Sequence, residues 1–425
     1  MSPKPRRSLD DCFLHDKDRL RHAEALALIA ERCQPIVSTE VVDLQSAHGR
    51  YAAADIHAAR NVPGHTNAAV DGYAIRHEDL TGEQVTDLAV SARLAAGATA
   101  AALVPQTAAR IFTGAALPPG ADTVVMQEDT LMPLEGQVRI PMGVKRGANA
   151  RAAGEDVSHG ETIIQAGARL RPQDLAALAS VGEAQVTVYR ALRIGIVSTG
   201  DEVRRPGEAL GPGGVYDANS YLLASLVASL PVDIVDLGIL PDDAGEVRSA
   251  LSTAGREMDV IISSGGASRG EQDHLVKSVE ALGQLHGWQI AIKPGRPMGF
   301  GAIGDAAVMM LPGNPVAAMV CTLLYAIPMI ARLGGGLPTE PRRFPLPAAF
   351  AIEGKKPDRR EFLRGFTTIR DGQMWADKFP RDGSGLISSL RAASGLIELP
   401  EDVTHVAPGD MVAFLPFSEF GVISA

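Results

Sequence analysis

Residues 259–273 carry the sequence DVIISSGGASRGEQD. An apolar run passes here into a glycine-rich polar loop and then into a segment with helical spacing. In an α/β protein such a loop binds anions, because paired glycines let the backbone approach a ligand and the helix N-terminus adds positive potential. An ordinary strand-to-helix turn fits this stretch equally well when it is taken alone, since it contains no Walker or dinucleotide fingerprint.

Two further apolar runs end in loops rich in proline and glycine. The first leads into KPGRPMGFG (residues 293–301) and the second into LPGNPVAA (residues 311–318). In a parallel sheet, loops at the carboxyl ends of the strands surround one crevice, and ligands of open α/β sheets bind there. The three loops together therefore predict one ligand site.

These three motifs resemble the molybdopterin molybdenumtransferase family, which includes the bacterial MoeA proteins and the related domain of gephyrin. The N-terminal half resembles the same family at NVPGHTNAAVDGYA (residues 61–74), RIFTGAALPPGADTVVMQE (110–128) and NARAAGED (149–156). The resemblance covers about residues 16–417.

Length and composition indicate a globular protein of several domains. The chain has 425 residues, of which 46% are hydrophobic and 21% are charged, and this length exceeds what one core usually supports. A formal net charge of −10 argues against nucleic-acid or membrane-surface partners, which need an extended basic face. An anionic ligand must therefore find a local basic pocket.

The cysteines and the N-terminus carry little functional signal. Cys12, Cys33 and Cys321 are scattered, and they have neither the number for a disulfide framework nor the spacing of a zinc site. We expect inert thiols. The N-terminus has no signal-peptide core and no later run reaches the roughly 20 apolar residues of a membrane span, so we expect a cytoplasmic protein.

Between residues 191 and 335, strand-like runs alternate with helical spacing, which predicts a doubly wound parallel sheet with helices on both faces. The first predicted strand opens this region at residue 191, and the later ones lie near residues 232–237, 259–263, 289–292 and 306–310. The predicted helices lie near residues 219–229, 243–256, 273–281 and 315–332. An amphipathic helix is also predicted over residues 16–33.

The resemblance implies that this α/β region is a molybdopterin-binding domain similar to MogA and MoaB. The predicted domains are a discontinuous N-terminal linking domain (1–50 and 145–190), an inserted β-rich domain (51–144), the α/β domain (191–335) and a small C-terminal β-barrel (336–425).

The resemblance further implies a transferase that inserts molybdate into adenylylated molybdopterin and releases AMP in a reaction that requires Mg²⁺. Such chemistry needs reactants to be positioned and charge to be stabilised more than it needs covalent work by side chains. The residues implied to be catalytic are Asp71, Glu202, Asp242 and Asp273. Glu202, Asp242 and Asp273 would form an oxygen-rich rim suited to Mg²⁺.

The remaining implied site residues bind the two substrates. Those implied to contact the pterin nucleotide are Thr113, Asp156, Ser264, Gly265, Gly266, Ser268, Pro312, Gly313, Asn314 and Pro315. Those implied to contact molybdate are Lys293, Arg296, Pro297, Arg364 and Ser384. Taken without the family, Asp71 fits a turn and Thr113 fits the start of one, and Asp243 fits a helix N-cap, which we favour.

Five residues differ from the commonest family residues, namely Ala68, Val70, Ala267, Arg269 and Arg296. At position 296 the planar guanidinium of arginine takes the place of the point charge of a lysine. Two alternatives therefore stay open. One is a related enzyme that inserts tungstate or acts on another pterin nucleotide, and the other is a non-catalytic, gephyrin-like scaffold that binds peptide.

We also expect a homodimer with a site shared between subunits, because acidic loops and basic C-terminal motifs lie on separate domains yet serve one ligand. The resemblance implies transient contacts with other proteins of molybdenum cofactor biosynthesis.

Overall fold

A computed structural model describes residues 19–81, 84–99, 101–265, 274–337 and 339–422. Short strands and helices precede the central sheet. In chain order these elements are α1 (His22–Arg32), β1 (Thr39–Asp43), β2 (Ile56–His57), β3 (Asn67–Ala68), β4 (Gly72–Ile75), β5 (Thr86–Leu94), β6 (Thr107–Ile111), β7 (Thr123–Met126), β8 (Gln137–Ile140), β9 (Ala150–Arg151), β10 (Thr162–Ile164), α2 (Pro172–Ser180) and β11 (Gln185–Tyr189).

The middle of this part is a five-stranded sheet in the order β7-β4-β6-β5-β8. Successive residues of β4 point to opposite faces, so Tyr73 and Ile75 enter one apolar cluster and Ala74 enters another. The chain enters and leaves this sheet through the antiparallel pair β3 and β9. On the other side of that pair, β1 pairs with β11 and β2 pairs with β10, so segments from both sides of the insertion fold together.

The central region alternates strands and helices. Its elements are β12 (Leu192–Thr199), β13 (Val203–Arg204), β14 (Val215–Tyr216), α3 (Asn219–Val227), β15 (Val232–Leu240), α4 (Ala244–Glu257), β16 (Val260–Ser264), α5 (His274–Leu282), β17 (Gln284–Gln289), β18 (Ile292–Lys293), β19 (Pro297–Ile303), β20 (Ala306–Leu311), α6 (Pro315–Cys321) and α7 (Ile327–Leu333). A π-helical segment, Thr322–Ala326, joins α6 to α7.

The central sheet has the strand order β15-β12-β16-β20-β19-β17. The first four strands are parallel. The edge strand β15 is partly exposed, whereas β12, β16 and β20 are buried on both faces. Ile262 packs into the cluster on the side of α3, α6 and α7, whereas Ile261 packs with α4 and α5 on the opposite side. The predicted α/β fold with helices on both faces is therefore confirmed.

The edge of this sheet differs from the sequence prediction. Strands β17 and β19 run antiparallel to their neighbours, because β19 and β20 are joined by the two-residue turn Gly304-Asp305, which forces an antiparallel pair. The predicted strand near residues 289–292 is instead the end of β17 followed by β18. Much of KPGRPMGFG belongs to β19 and not to a loop.

The α6 to α7 run, Pro315–Leu333, is the one helical span in the described residues that is long and apolar enough to cross a membrane, but 78% of it is buried inside the protein. It therefore serves as the central core helix. Cys33 and Cys321 are both buried in the same core, as expected for inert thiols.

The C-terminal region is the predicted small β-barrel. Its elements are β21 (Phe344–Pro347), β22 (Arg360–Arg370), β23 (Gln373–Lys378), α8 (Ile387–Ala392), β24 (Gly395–Leu399) and β25 (Met411–Pro416). The strand order is β18-β22-β24-β25-β21, with β23 beside β22. A bridge between Ala348 and Ala376 brings the two ends of the sheet together. Strand β18 comes from the central region, so its pairing with β22 joins the two regions.

Helix α1 is fixed to this assembly by a buried histidine. His22 is 2% exposed, and its Nδ1 lies 2.8 Å from the hydroxyl oxygen of Tyr325 in the core helix. Its ring meets Phe362 of the barrel edge to face, with the ring centroids 5.3 Å apart. One side chain thus links the N-terminal helix, the core helix and the barrel.

We predict that His22 makes the protein sensitive to acid between pH 6.5 and about 4. Burial, reinforced by Arg360, lowers the pKa of His22 from 6.5 to about 4. Below pH 6.5 the imidazole of His22 binds a proton in the unfolded chain but stays neutral in the folded chain. The free energy of unfolding therefore falls as the pH drops, and the decrease ends near pH 4. The full loss is about 3 kcal/mol.

The test compares thermal midpoints of the parent and His22→Gln proteins from pH 7 to pH 4. Glutamine retains a polar partner for Tyr325 but cannot titrate, so the variant should lose less stability over this window. Equal slopes for the two proteins would show that other groups govern the acid sensitivity.

Candidate functional site

The strand register brings several loops to one edge of the central sheet. Thr199 of β12 pairs with Leu240 of β15, while Ser264 of β16 pairs with Ser198 on one side and Leu311 on the other. The loops that follow these strands therefore begin at the same level. This arrangement is the crevice at the carboxyl ends of the strands that the three motifs predict.

A cleft of about 580 Å³ opens between this edge and the barrel. Residues of the central region and of the barrel both line this cleft, and Phe362 is part of its apolar lining. The lining residues from the central region are Gly265, Lys293, Pro294, Gly295, Pro297, Pro312, Gly313, Asn314 and Ala317, and those from the barrel region are Phe362, Leu363, Arg364, Asp382, Gly383 and Ser384. A single chain thus brings the Gly265, Lys293 and Gly313 loops of the central region against the C-terminal motifs, whereas the acidic-loop residues Glu202 and Asp242 do not line this cleft.

Arg364 is the charged group at the base of this cleft. It is 6% exposed, and its Nε donates to the Ser389 hydroxyl oxygen at 3.1 Å. Its Nη2 donates to the carbonyl oxygens of Arg381 and Gly383, both at 3.3 Å. Within the described residues these partners are all neutral oxygens. Burial lowers the pKa of Arg364, and the nearby Asp382 opposes that shift.

A buried guanidinium without a carboxylate partner is costly, because desolvation weakens the charged form and neutral acceptors compensate only part of that loss. An anion that enters the cleft would supply the missing charge. The planar fork of arginine suits an oxyanion particularly well, since it donates two parallel hydrogen bonds.

Lys293 provides a second cation at the cleft. Its side chain is 48% exposed, and its Nζ lies 3.5 Å from Oε2 of Glu361. Ser384 belongs to a segment that is anchored to the core helix, because the Val316 N–H donates to the Ser384 carbonyl oxygen at 3.0 Å. Lys293, Arg364, Ser384 and Pro297 are therefore brought together, as the predicted oxyanion site requires. Arg296 is exposed and does not line the cleft.

Asn219, which the sequence analysis did not single out, ties two of the loops together. Its Nδ2 donates to the Ser264 hydroxyl oxygen and to the Gly313 carbonyl oxygen, both at 2.6 Å. The Gly265 N–H in turn donates to the Leu311 carbonyl oxygen at 2.9 Å. No spacing rule marks Asn219, because an asparagine at the start of a helix resembles any cap residue.

Pro312 and Asn314 lie in the same loop and line the cleft, whereas Pro315 begins α6. Three predicted site residues, Gly266, Ser268 and Asp273, lie outside the described residues.

Asp71 and Thr113 form a separate pair on the inserted sheet. Oδ1 of Asp71 accepts hydrogen bonds from the Thr113 N–H at 2.8 Å and from the Thr113 hydroxyl at 2.7 Å. These hydrogen bonds lower the pKa of Asp71, so its carboxylate is ionised at neutral pH. Asp156 is exposed on the linking segment. None of the three residues lines the cleft of its own chain.

Glu202 and Asp242 lie on neighbouring loops that follow β12 and β15. Both residues are exposed, and the loops are joined where the Asp242 N–H donates to Oδ1 of Asp201 at 3.1 Å. Two exposed carboxylates on adjacent loops suit Mg²⁺, which prefers oxygen ligands and keeps several waters. In the part of the chain that the structure covers, no cluster of three or more His, Cys, Asp or Glu residues is placed to hold a metal ion.

Asp243 has the capping role that we favoured. Its Oδ1 accepts from the Gly245 N–H at 2.8 Å and from the Glu246 N–H at 2.9 Å at the start of α4.

A second and more apolar cavity, of about 620 Å³, lies between α1, the core helix and the barrel, and it contains none of the predicted site residues.

We predict that Gly295→Ala destabilises the loop that carries Lys293. Gly295 has a φ of +101°, and an added Cβ would lie 2.2 Å from Sγ of the buried Cys321. Overpacking of this kind costs about 1–3 kcal/mol. The thermal midpoint should therefore fall, and Cys321→Ala in the same chain should restore part of the loss.

Gly354→Ala is the matched control, since a Cβ there meets nothing within 4 Å. A Gly295→Ala protein as stable as this control would contradict the proposed clash.

Comparison with known proteins places this architecture in one family. The MoeA N-terminal region (domain I and II) matches residues 20–182, the probable molybdopterin binding domain matches residues 195–332, and the MoeA C-terminal region (domain IV) matches residues 346–417. These matches run along most of the described chain.

Individual relatives agree with these matches. The chain is 38% identical to the molybdopterin molybdenumtransferase of Haemophilus influenzae, over 89% of this chain and 94% of that protein. It is 33% identical to molybdopterin molybdenumtransferase 2 of Mycobacterium tuberculosis, over 91% of this chain and 96% of that protein. The crystal structure of a molybdopterin biosynthesis moeA protein from Pyrococcus horikoshii OT3 superposes with a TM-score of 0.81 at 30% identity, over 94% of this chain and 100% of that one. The chain therefore belongs to the molybdopterin molybdenumtransferase (MoeA) family.

Proposed function

We propose that this enzyme inserts molybdate into adenylylated molybdopterin and releases AMP, as a step of molybdenum cofactor biosynthesis in the cytoplasm. The observation that carries the proposal is the buried Arg364 guanidinium at the base of the cleft, whose hydrogen-bond partners among the described residues are neutral. A tetrahedral oxyanion supplies the charge that this group lacks. The half-exposed Lys293 supports the assignment, because it adds a second cation to the same cleft.

The residues of the cleft act by positioning and by stabilising charge. Arg364 and Lys293 hold the oxyanion, and the glycine-rich segment after Gly265, which lies outside the described residues, is the part of the chain that we propose binds the phosphates of the pterin nucleotide. Asn219 keeps Ser264, at the end of β16, against the loop of Gly313. The release of AMP then follows hydrolysis of a phosphoanhydride beside an oxyanion that is already in place.

Glu202 and Asp242 are the described residues that would hold Mg²⁺, with Asp273 as the third carboxylate of the proposed set. The ion would offset the negative charge that develops on the phosphates during the reaction. The exposed carboxylates of Glu202 and Asp242 are free to receive it, since both side chains face solvent at the sheet edge.

We predict that Arg364→Ala raises the molybdate concentration needed for AMP release while it leaves nucleotide binding nearly unchanged. Loss of a charge-assisted hydrogen bond costs about 1.5–3 kcal/mol, which corresponds to roughly ten- to a hundredfold in affinity. The assay measures AMP released from adenylylated molybdopterin at increasing molybdate, with and without Mg²⁺.

Arg391→Ala is the matched control, because Arg391 is an exposed arginine of α8 that does not line the cleft. Thermal melting verifies that both variants fold. Equal loss of molybdate and nucleotide binding, or loss of neither, would remove Arg364 from the oxyanion site. A folded parent protein that never releases AMP would refute the proposed reaction.

The proposal includes a homodimer in which the second subunit completes the site. Asp71, Thr113 and Asp156 belong to the predicted site, yet they do not line the cleft of their own chain. The ionised Asp71 carboxylate, oriented by Thr113, is partly exposed and available to a neighbouring subunit.

A mixing experiment tests the shared site. At a molybdate concentration too low to support Arg364→Ala, that variant and Asp71→Asn should each be nearly inactive. Refolding them together should then restore up to about a quarter of parent activity, because half of the dimers are mixed and each mixed dimer has one intact site. Mixed dimers that stay inactive, or a fully active monomer in sedimentation, would show that the site is not shared.

A further inference from the structure

The Asp71 carboxylate uses one of its two oxygens within the protein. Oδ1 accepts both hydrogen bonds from Thr113, whereas Oδ2 accepts none within the described part of the chain. The two residues are 42 positions apart in the chain, so their pairing depends on how the start of β4 and the end of β6 are held together. Whatever fixes these two backbone segments therefore also fixes the direction in which Oδ2 points.

Arg110 lies between these two segments. It is directly opposite Tyr73 in the antiparallel pair of β6 and β4. Alternate residues of a strand share a face, and Ala108 packs in the same cluster as Tyr73, so the Arg110 side chain is on that face. Its Nη1 donates to the Gly72 carbonyl oxygen at 3.0 Å. The residue that follows Asp71 is thereby tied to β6.

The same guanidinium packs against the residue that precedes Thr113. Cζ of Arg110 lies 4.9 Å from the centroid of the Phe112 ring and 5.2 Å from the centroid of the Tyr73 ring. At such distances an aromatic ring attracts a cation. One planar group thus contacts both backbone segments that carry the Asp71–Thr113 pair.

Gln127 completes this arrangement. Nη2 of Arg110 donates to Oε1 of Gln127, and the Gln127 N–H donates to the Asp71 carbonyl oxygen at 3.1 Å. Glu128 is exposed and accepts from the Gln127 amide nitrogen at 3.0 Å, so its carboxylate is bonded to the amide and not to the guanidinium. The hydrogen bonds from Thr113 lower the pKa of Asp71, and the charge of Arg110 adds to that effect.

We propose that Arg110 is a positioning residue for Asp71: it joins the start of β4 to the end of β6 and so holds the free oxygen of the Asp71 carboxylate in the direction that reaches the substrate. The inference rests on the proposed function, because it assumes that Asp71 acts in the completed site. It adds a residue that acts through Asp71 and does not itself touch the substrate.

The test compares the parent protein with Arg110→Gln by AMP release from adenylylated molybdopterin. The value of kcat should fall by at least about tenfold, because misplacing a reacting group slows the reaction. The KM values for molybdate and for the nucleotide should change by less than about threefold, because Arg110 binds neither. A folded Arg110→Gln protein with the parent kcat would overturn the inference.

Arg93→Gln is the matched control. Arg93 is exposed, lies opposite Arg110 on β5 and contacts the same Phe112 ring at 5.1 Å, but it makes none of the hydrogen bonds that join Arg110 to Gly72 and Gln127. Its loss should leave kcat within about twofold of the parent value.

Arg110→Lys separates the charge from the shape of the side chain. Lysine keeps the charge but cannot reproduce the planar fork, so kcat should stay at least about threefold below the parent value. A parent-like Arg110→Lys, or an equal loss in Arg93→Gln, would show that positive charge on this face is sufficient and would overturn the inference.

Mixed dimers identify the part of the shared site that Arg110 serves. At the low molybdate concentration of the first mixing experiment, Arg110→Gln refolded with Arg364→Ala should regain activity, because each mixed dimer again has one intact site. Refolded with Asp71→Asn it should regain none, since both changes affect the same inserted sheet. Recovery in the second mixture would show that Arg110 does not act through Asp71.

The crystal structure of Arg110→Gln tests the inference without turnover. Asp71 should lose at least one of its hydrogen bonds from Thr113, and a pair that keeps the parent geometry would overturn the inference. If the parent protein releases no AMP, the proposed reaction fails, but this structure still decides whether Arg110 positions Asp71. If only the mixture of Asp71→Asn with Arg364→Ala stays inactive, the shared site fails and the kcat comparison decides the role of Arg110.

Discussion

The pairing of β18 with β22 is the constraint on which the cleft depends. Two residues of the central region, Ile292 and Lys293, form a parallel ladder with Arg360 and Glu361 of the barrel. A hydrogen bond from the Val316 N–H to the Ser384 carbonyl oxygen also holds the cleft-lining segment around Ser384 against the core helix. Because a backbone ladder fixes the register, Lys293 and Arg364 face the same cavity only while this ladder is intact.

The electrostatics follow from that geometry. A protein with a net charge of −10 cannot attract an oxyanion with its whole surface, so positive charge has to be concentrated where the ligand binds. The fold does so by burying Arg364 among neutral oxygens and by placing the half-exposed Lys293 at the same cleft. The charge of Arg364 thus has no opposite charge as a hydrogen-bond partner among the described residues. Such incomplete pairing is expected where local stability is exchanged for function.

The sequence was sufficient to predict the α/β region, the barrel and the crevice, because apolar runs that end in glycine-rich loops have few structural alternatives. The antiparallel sheet edge was not predictable in the same way. Gly299 and Gly301 suggested a loop, but a Cβ at Gly301 would lie 2.0 Å from the Gln284 carbonyl oxygen. The glycine is therefore required by the close approach of the neighbouring strand. The pattern of residues could not show this, since it depends on the packing of two strands.

The candidate site was predictable in its residue types and much less so in its distances. The motifs pointed to Lys293, Arg364 and Ser384, but only the fold shows that one chain brings them together. Asn219 was missed because its role arises from contacts with two distant loops, which leave no local pattern. The motifs did point to Asp71 and Thr113, but not to their hydrogen bonds, which join residues 42 positions apart in the chain.

The central claim is that an oxyanion binds between Arg364 and Lys293, and anomalous diffraction from crystals soaked in tungstate tests it most directly. We expect a tungsten peak in the cleft, within hydrogen-bonding reach of the Arg364 guanidinium through the oxyanion oxygens, and no such peak in Arg364→Ala crystals. A peak elsewhere in the molecule, or an undiminished peak in the variant, would show that the oxyanion does not bind between Arg364 and Lys293.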